Sequence, residues 1–315
     1  MKNPGGGSFV SPGFSHPASD RALSFIGIAP RCTRDCTGSL RDKHCDPSDP
    51  ADRRSGSWWD HILLDPETKL IVTLVVGRRT ADTAFEAFLD FYTRTDGQLP
   101  ELLTTDAYAS YVTVIVSVYG VCKEDLELTQ AEKEALCWKQ MPPLYFPVEI
   151  AYATVQKERE GGRVVAVTER VVLGTFEQVE QTLAQAERSR SINTSFVERW
   201  FGTQRQFNGR NKRRAYTFSK ELSQHEACTW LVVLWYNFGW CVRTLRQKVQ
   251  EDPPRYHYRT PAMAAGLTDH PWAMRELLTF PLFPPTDAPQ RISPRTYNDV
   301  LERLQGALPT GPPLP

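Results

Sequence analysis

Trp58-Trp59-Asp60-His61-Ile62-Leu63-Leu64-Asp65-Pro66-Glu67-Thr68-Lys69-Leu70-Ile71-Val72-Thr73-Leu74-Val75-Val76 is the stretch whose reading decides the fold. Two apolar, β-branched runs flank Asp65-Pro66-Glu67-Thr68, a type I turn signature with Pro at its second position, so the stretch predicts a β-hairpin. Downstream, Thr80 is placed to cap a helix whose Ala84, Phe85, Phe88, Leu89 and Tyr92 share one face. Gly97 and Pro100 end that helix, and Glu101-Leu102-Leu103-Thr104-Thr105 then reads as a strand delivering Asp106. Hairpin strands followed by a helical crossover to a further strand is the plan of a mixed α/β sheet with helices on its faces.

Outward from this centre, Ala107–Gly120 continues as helix and residues 121–147 show no clear pattern. A second hairpin runs Val148–Val155 and Val164–Leu173 across a polar turn with Gly161-Gly162. Thr175 followed by Gln178 forms a capping box, with Phe176, Val179 and Leu183 on the inner face of its helix. Residues 219–248 read as one long apolar helix, and Pro253, Pro254 and Pro261 interrupt the chain before a last helix near Trp272–Leu278. On the N-terminal side, Asp20–Ile28 reads as a short strand. Residues 1–19, rich in Gly, Pro and Ser, read as a disordered leader.

Asn193-Thr194-Ser195-Phe196-Val197-Glu198-Arg199-Trp200 opens an amphipathic helix. Its first three residues favour helix capping, and Val197, Trp200, Phe201 and Gln204 fall on one side at helical spacing. Glu198 and Arg205, seven apart, share another face. Arg199, Arg205, Arg210, Lys212, Arg213 and Arg214 follow with no acidic residue between them. A carboxylate heading a basic helix suits metal-assisted phosphodiester chemistry, the acid holding a cation and the basic residues phosphates. Arg210, Lys212, Arg213 and Arg214 would grip a backbone without reading bases. A Glu in the first turn also complements the helix dipole, and a charge run is often only a solvated turn.

Composition bounds the function class. The chain of 315 residues carries 37 Lys+Arg and 37 Asp+Glu, so no global basic charge announces a nucleic-acid partner and any such signal is local. The 7 cysteines are odd in number and scattered, which fits a reducing cytosol. Cys32, Cys36, His44 and Cys45 lack the paired spacing of a zinc site, and the three cysteines read as free thiols. No apolar run is long enough to span a bilayer, and the Trp230–Trp240 window reads as buried helix. His225 in the same predicted helix reads as a packing histidine. An acid in the first strand, one after the crossover and one on a later helix are able to converge at one sheet edge. Three carboxylates there suit two Mg²⁺ ions, which activate an attacking oxygen and stabilise a leaving one.

Several short stretches, in order, carry a resemblance. They are Trp59–Leu70, Val76-Gly77-Arg78-Arg79-Thr80, Thr105-Asp106-Ala107-Tyr108, Asn193–Arg199, Tyr236-Asn237-Phe238 and Arg259–His270. Across about residues 19–280 the chain resembles transposases of the insertion-sequence-one family, in the DDE group. The resemblance implies a ribonuclease-H-like catalytic domain at 20–250, a mixed sheet flanked by helices, and a helical C-terminal extension with a Pro-rich tail at 251–315. It puts the three acids on Asp20, Asp106 and Glu198, which would hold two Mg²⁺ ions with Mn²⁺ able to substitute. Arg205 matches the basic residue two turns after the family's Glu. Where the family has an acidic pair and an aromatic, this chain has Asp20-Arg21-Ala22-Leu23-Ser24-Phe25, so Asp60 is a rival first acid. Asp65 is accounted for by its turn.

The implied activity is metal-dependent cleavage at insertion-sequence ends, freeing a 3′-hydroxyl that attacks target DNA. The implied partners are DNA and further copies of the chain on it, with no membrane, in the cytoplasm with the nucleoid. Residues 1–19 show neither a Cys pair nor a helical pattern, so the family's N-terminal zinc and helix-turn-helix region is expected to be lacking. The alternatives are a catalytically inactive DNA-binding remnant and a nuclease of the same fold that cuts without joining.

Overall fold

A computed structural model describes residues 26–27, 58–122, 130, 144–145, 150–161, 163–211, 222–249 and 255–280. It is a mixed α/β fold built on two three-stranded ladders. In the first, β1 (Ile26–Gly27), β2 (Trp59–Leu64) and β3 (Ile71–Gly77) pair antiparallel in that order. In the second, β4 (Leu102–Asp106) runs parallel to β7 (Ala151–Glu160), which pairs antiparallel with β8 (Arg163–Leu173). Strand β1 lies alongside β4 and so brings the ladders together. Strands β5 (Val121–Cys122) and β6 (Leu144–Tyr145) form a small separate pair. The expected leader, the loop with Cys32, Cys36, His44 and Cys45, and Asp20 lie outside the described residues.

The β2–β3 hairpin forms as expected because Asp65 closes its turn. Its Oδ1 accepts from the Glu67 amide at 2.9 Å, and its Oδ2 accepts from the Thr68 amide at 3.2 Å and the Thr68 hydroxyl at 2.5 Å. Helix α1 (Ala81–Arg94) starts where Thr80 Oγ1 accepts from the Thr83 amide at 3.3 Å, an N-cap that satisfies an otherwise orphaned donor. Its buried face centres on Ala84, Phe88 and Phe91, with Leu89 and Tyr92 only partly covered. With α2 (Ser110–Tyr119) it packs on Leu63, Leu103 and Tyr152.

The alternate residues of the strands face other helices, as the two-residue period of a strand requires. Leu102, Ala151, Ala153 and Val155 meet Val179 of α3 (Phe176–Gln185). Thr175 caps α3 by accepting from the Gln178 amide at 3.1 Å, but Phe176, expected inside, is 64% exposed. Ile62, Leu64, Ile71 and Leu74 meet Val197, Trp200 and Phe201 of α4 (Ser195–Phe207) and Val233 of α5 (Leu222–Leu234).

The expected single helix over 219–248 is a correction. Helix α5 ends at Leu234, a π-turn occupies Trp235–Gly239, a 3₁₀ turn Arg243–Leu245 follows, and Gln247–Val249 is a strand, β9, paired with β10 (Arg255–His257). The cause is tertiary. Asn237 turns inward to pair with the backbone of Ile71, accepting from its amide at 3.1 Å and donating to its carbonyl at 2.8 Å. The chain widens by one residue there, as π-turns do where a side chain has a specific task. Of the aromatics in the window read as buried helix, Trp230, Trp235 and Phe238 are only half-buried and Trp240 remains 43% exposed against Phe207. Pro261, read as an interruption, instead occupies the first turn of α6 (Pro261–Ala264), capped by Thr260, where a missing N–H costs nothing. Helix α7 (Met274–Thr279) closes the described chain. Among the described residues no helix is long and apolar enough to cross a membrane.

Candidate active site

Strand β4 brings Asp106 to its C-terminal end after four buried residues, Leu102 to Thr105. The Thr105 hydroxyl donates to the Asp106 carbonyl at 2.6 Å and pairs with the Tyr152 hydroxyl at 2.7 Å, so the end of the strand is held from the neighbouring strand β7. Asp106 Oδ1 is buried with no hydrogen-bond partner. Burial pushes the Asp106 carboxyl above its ordinary value, and the Arg79 guanidinium and the Tyr108 amide offset part of that. A buried acceptor left open is costly unless something else completes it.

Glu198 stands on the outer side of α4. The helix buries Val197, Trp200, Phe201 and Gln204, the four residues the spacing assigned to its inner face, and Glu198 is left facing outward. The cap differs in detail from the expectation. Asn193 Oδ1 accepts from the Ser195 amide at 3.1 Å and the Ser195 hydroxyl at 2.5 Å. Thr194 makes no cap; its hydroxyl donates to Glu198 Oε1 at 3.1 Å. The same oxygen accepts from the Lys157 ammonium at 2.5 Å.

Lys157 ties the two acids to one region. Asp106 is in register with Val155 on β7, and Lys157 follows two residues on, on the same face of β7 as Val155. The approach of α4 is fixed from the hairpin turn, where the Glu67 carboxylate accepts from the amides of Arg188 at 2.9 Å and Ser189 at 3.0 Å. Neither Lys157 nor Glu67 was singled out as a site residue by sequence. For Lys157 there was no signal: it falls in the segment read as the polar turn after Val155, where the structure instead continues strand β7 to Glu160.

Asp60, the rival first acid, is occupied elsewhere. It is 3% exposed, and its Oδ2 accepts from Gln204 Nε2 at 2.8 Å while its Oδ1 faces His225 Nε2 at 3.2 Å. The contact pairs the two buried side chains, the imidazole Nε2 against a carboxylate oxygen. His225 is therefore a packing histidine, as read, with Asp60 as its partner. Arg205 sits half-buried on α4 and Arg210 in the 3₁₀ turn Gly209–Asn211, its amide donating to Asn208 Oδ1 at 3.0 Å. Lys212, Arg213 and Arg214, like Asp20, lie outside the described residues.

Among the described residues no three His, Cys, Asp or Glu side chains gather closely enough to hold a metal ion. Of the three predicted acids, the described residues include Asp106 and Glu198. Their donors suit a hard cation in kind, being carboxylate oxygens of which one, Asp106 Oδ1, is open. The chain matches no known family model, and no curated protein matches it.

Proposed function

We propose that the chain is a DNA transposase of the DDE type, working on a ribonuclease-H-like sheet with Asp20, Asp106 and Glu198 as its acids. The observation that carries this reading is the Lys157–Glu198 pair, set two residues past the register partner of Asp106. Two acids chosen from sequence, far apart in the chain, are thereby drawn toward the same end of the β4–β7 ladder. The position of β1 alongside β4 further supports it, because β1 falls within the predicted strand that begins at Asp20.

Asp106 and Glu198, with Asp20, would hold Mg²⁺. Bound there, it would supply charge neutralisation at the phosphate and activation of the attacking oxygen. The chain's own residues do the positioning. Asp106 offers an open oxygen from a strand end locked by Thr105 and Tyr152. Glu198 is oriented by Thr194 and balanced by Lys157, so the carboxylate is set before substrate arrives. Arg205 and the Arg210–Arg214 run supply charge for a DNA backbone.

A second reading, an inactive DNA-binding remnant, draws on the same ion pair, since the Lys157 ammonium occupies the carboxylate that a cation would need. One experiment separates them. Purified protein is mixed with DNA carrying the repeats that flank its gene, in Mg²⁺ or Mn²⁺, beside Asp20→Asn and Glu198→Gln. Joined product lost in both variants establishes the transposase and the first acid. Joining that survives Asp20→Asn moves the first acid elsewhere, and DNA binding with neither nicking nor joining establishes the remnant.

A further inference from the structure

Two of the sequence stretches singled out above meet in space. Arg79, from Val76-Gly77-Arg78-Arg79-Thr80, lies with its guanidinium 4.8 Å from the ring centre of Tyr108, from Thr105-Asp106-Ala107-Tyr108. It also lies 5.2 Å from the ring centre of Trp59. The backbone on either side is pinned. The Arg78 carbonyl accepts from His61 Nε2 at 3.1 Å, and the Arg79 carbonyl accepts from the Tyr108 hydroxyl at 3.4 Å. Thr80 caps α1, and Gly77 passes so close to Thr83 that a Cβ there would collide with its side chain.

The arginine is nonetheless exposed, and so are Ala107 and Ala109, which flank Tyr108 with small side chains that leave the approach open. Among the described residues Arg79 forms no ion pair, although its charge acts on the nearby Asp106. A guanidinium held against aromatic faces has its plane fixed and presents its N–H edge to an oxyanion with little freedom left to lose.

The geometry points to Arg79 as a binding residue for a backbone phosphate of a nucleic-acid strand, seated between Trp59 and Tyr108 beside Asp106. The inference rests on the proposed reading of the site and deepens it, naming a contact that brings the phosphodiester next to the acid. A planar fork suits the two oxygens of a phosphodiester better than a point charge does. Arg79 would act as a positioning residue, distinct from the basic run after Glu198.

The test is metal-free binding of the full chain to a short fluorescein-labelled DNA duplex, followed by anisotropy across a salt series. Arg79→Ala removes the contact. Arg79→Gln keeps a planar group between the rings but drops the charge, and so guards against a folding defect. Both are expected to bind several-fold more weakly, with a slope of log affinity against log salt shallower by about 0.9, the share of one phosphate contact. Arg79→Lys is expected to keep the slope and lose part of the affinity, and Arg275→Ala, an exposed arginine on α7, to match the parent. A slope unchanged in Arg79→Gln, or reduced equally in Arg275→Ala, overturns the inference. Since no metal and no cleavage enter, the outcome separates from the strand-transfer assay. A chain that shows the Arg79 slope but never joins ends defeats the transposase reading alone, and joining with an unchanged slope defeats this inference alone.

Discussion

The Lys157 ammonium donates to Glu198 across 2.5 Å, from a strand position two residues past the partner of Asp106. The Lys157 side chain is 22% and the Glu198 side chain 45% exposed, so water screens the pair. Lys157→Ala is therefore expected to change unfolding free energy by less than about 1 kcal/mol in urea titrations. Under the proposed function the ammonium also competes with a cation for Glu198. Mn²⁺, followed by paramagnetic resonance of the free ion, should bind several-fold more tightly to Lys157→Ala than to the parent. Equal affinity in the two proteins would remove Glu198 from the metal site.

Asp60 joins β2 to α4 and α5 through Gln204 and His225, all three almost fully buried. Removing one member of a buried hydrogen-bonded charge cluster leaves its neighbours without compensation. Asp60→Ala should cost about 3 kcal/mol by urea unfolding, and Asp60→Asn less, because the amide keeps an acceptor for Gln204. Mn²⁺ affinity per folded molecule should stay at the parent value in Asp60→Asn. A loss of Mn²⁺ binding with stability intact would return Asp60 to candidacy as the first acid.

Asn237 pairs with both backbone groups of Ile71 from inside the π-turn. Asn237→Leu would leave the amide and carbonyl of Ile71 buried without partners. At roughly 1–3 kcal/mol for each orphaned group, a loss of about 3 kcal/mol is expected in the unfolding free energy. A cost below about 1 kcal/mol would show that the turn relaxes into an ordinary helix and recovers those bonds by another route.

His61 sets an acid limit. Burial lowers its pKa from 6.5 to about 4, only partly opposed by the Arg78 carbonyl that accepts from Nε2. Its Nδ1 is buried with no partner, so the neutral ring fits and the protonated one does not. Between pH 6.5 and about 4 the unfolded chain binds a proton that the folded chain refuses, so this contribution to stability falls as pH falls through that window. At roughly 1.4 kcal/mol per pH unit the loss approaches about 3 kcal/mol. Asp65 and Asp106, whose burial raises their pKa values, act in the opposite sense, taking up protons in the folded state above the unfolded value and gaining stability as pH falls. His61→Gln should therefore flatten the parent's loss over this window in unfolding titrations, and an identical pH profile in the two proteins would contradict the assignment.

Much of the local structure was legible because it depends on residues close in the chain. Asp65 closes its turn on Glu67 and Thr68, Thr80 and Thr175 accept from amides three residues on, and the spacing of Val197, Trp200, Phe201 and Gln204 alone marks the inner face of α4. The placing of Asp106 at a strand end and Glu198 in a first helical turn follows from the same short-range patterns. What tertiary structure alone decided is which distant groups answer one another. Lys157 meets Glu198, Glu67 meets Arg188, Asp60 meets Gln204 and His225, and Arg79 meets Tyr108. The π-turn belongs with these, since nothing in the aromatic-rich stretch Trp235–Gly239 marks a break in the helix and only the backbone of Ile71 asks Asn237 to turn inward. Periodicity tells which side of an element is apolar. A buried polar group takes its partner from whatever element packs against it, and that partner is set by the packing of the whole chain.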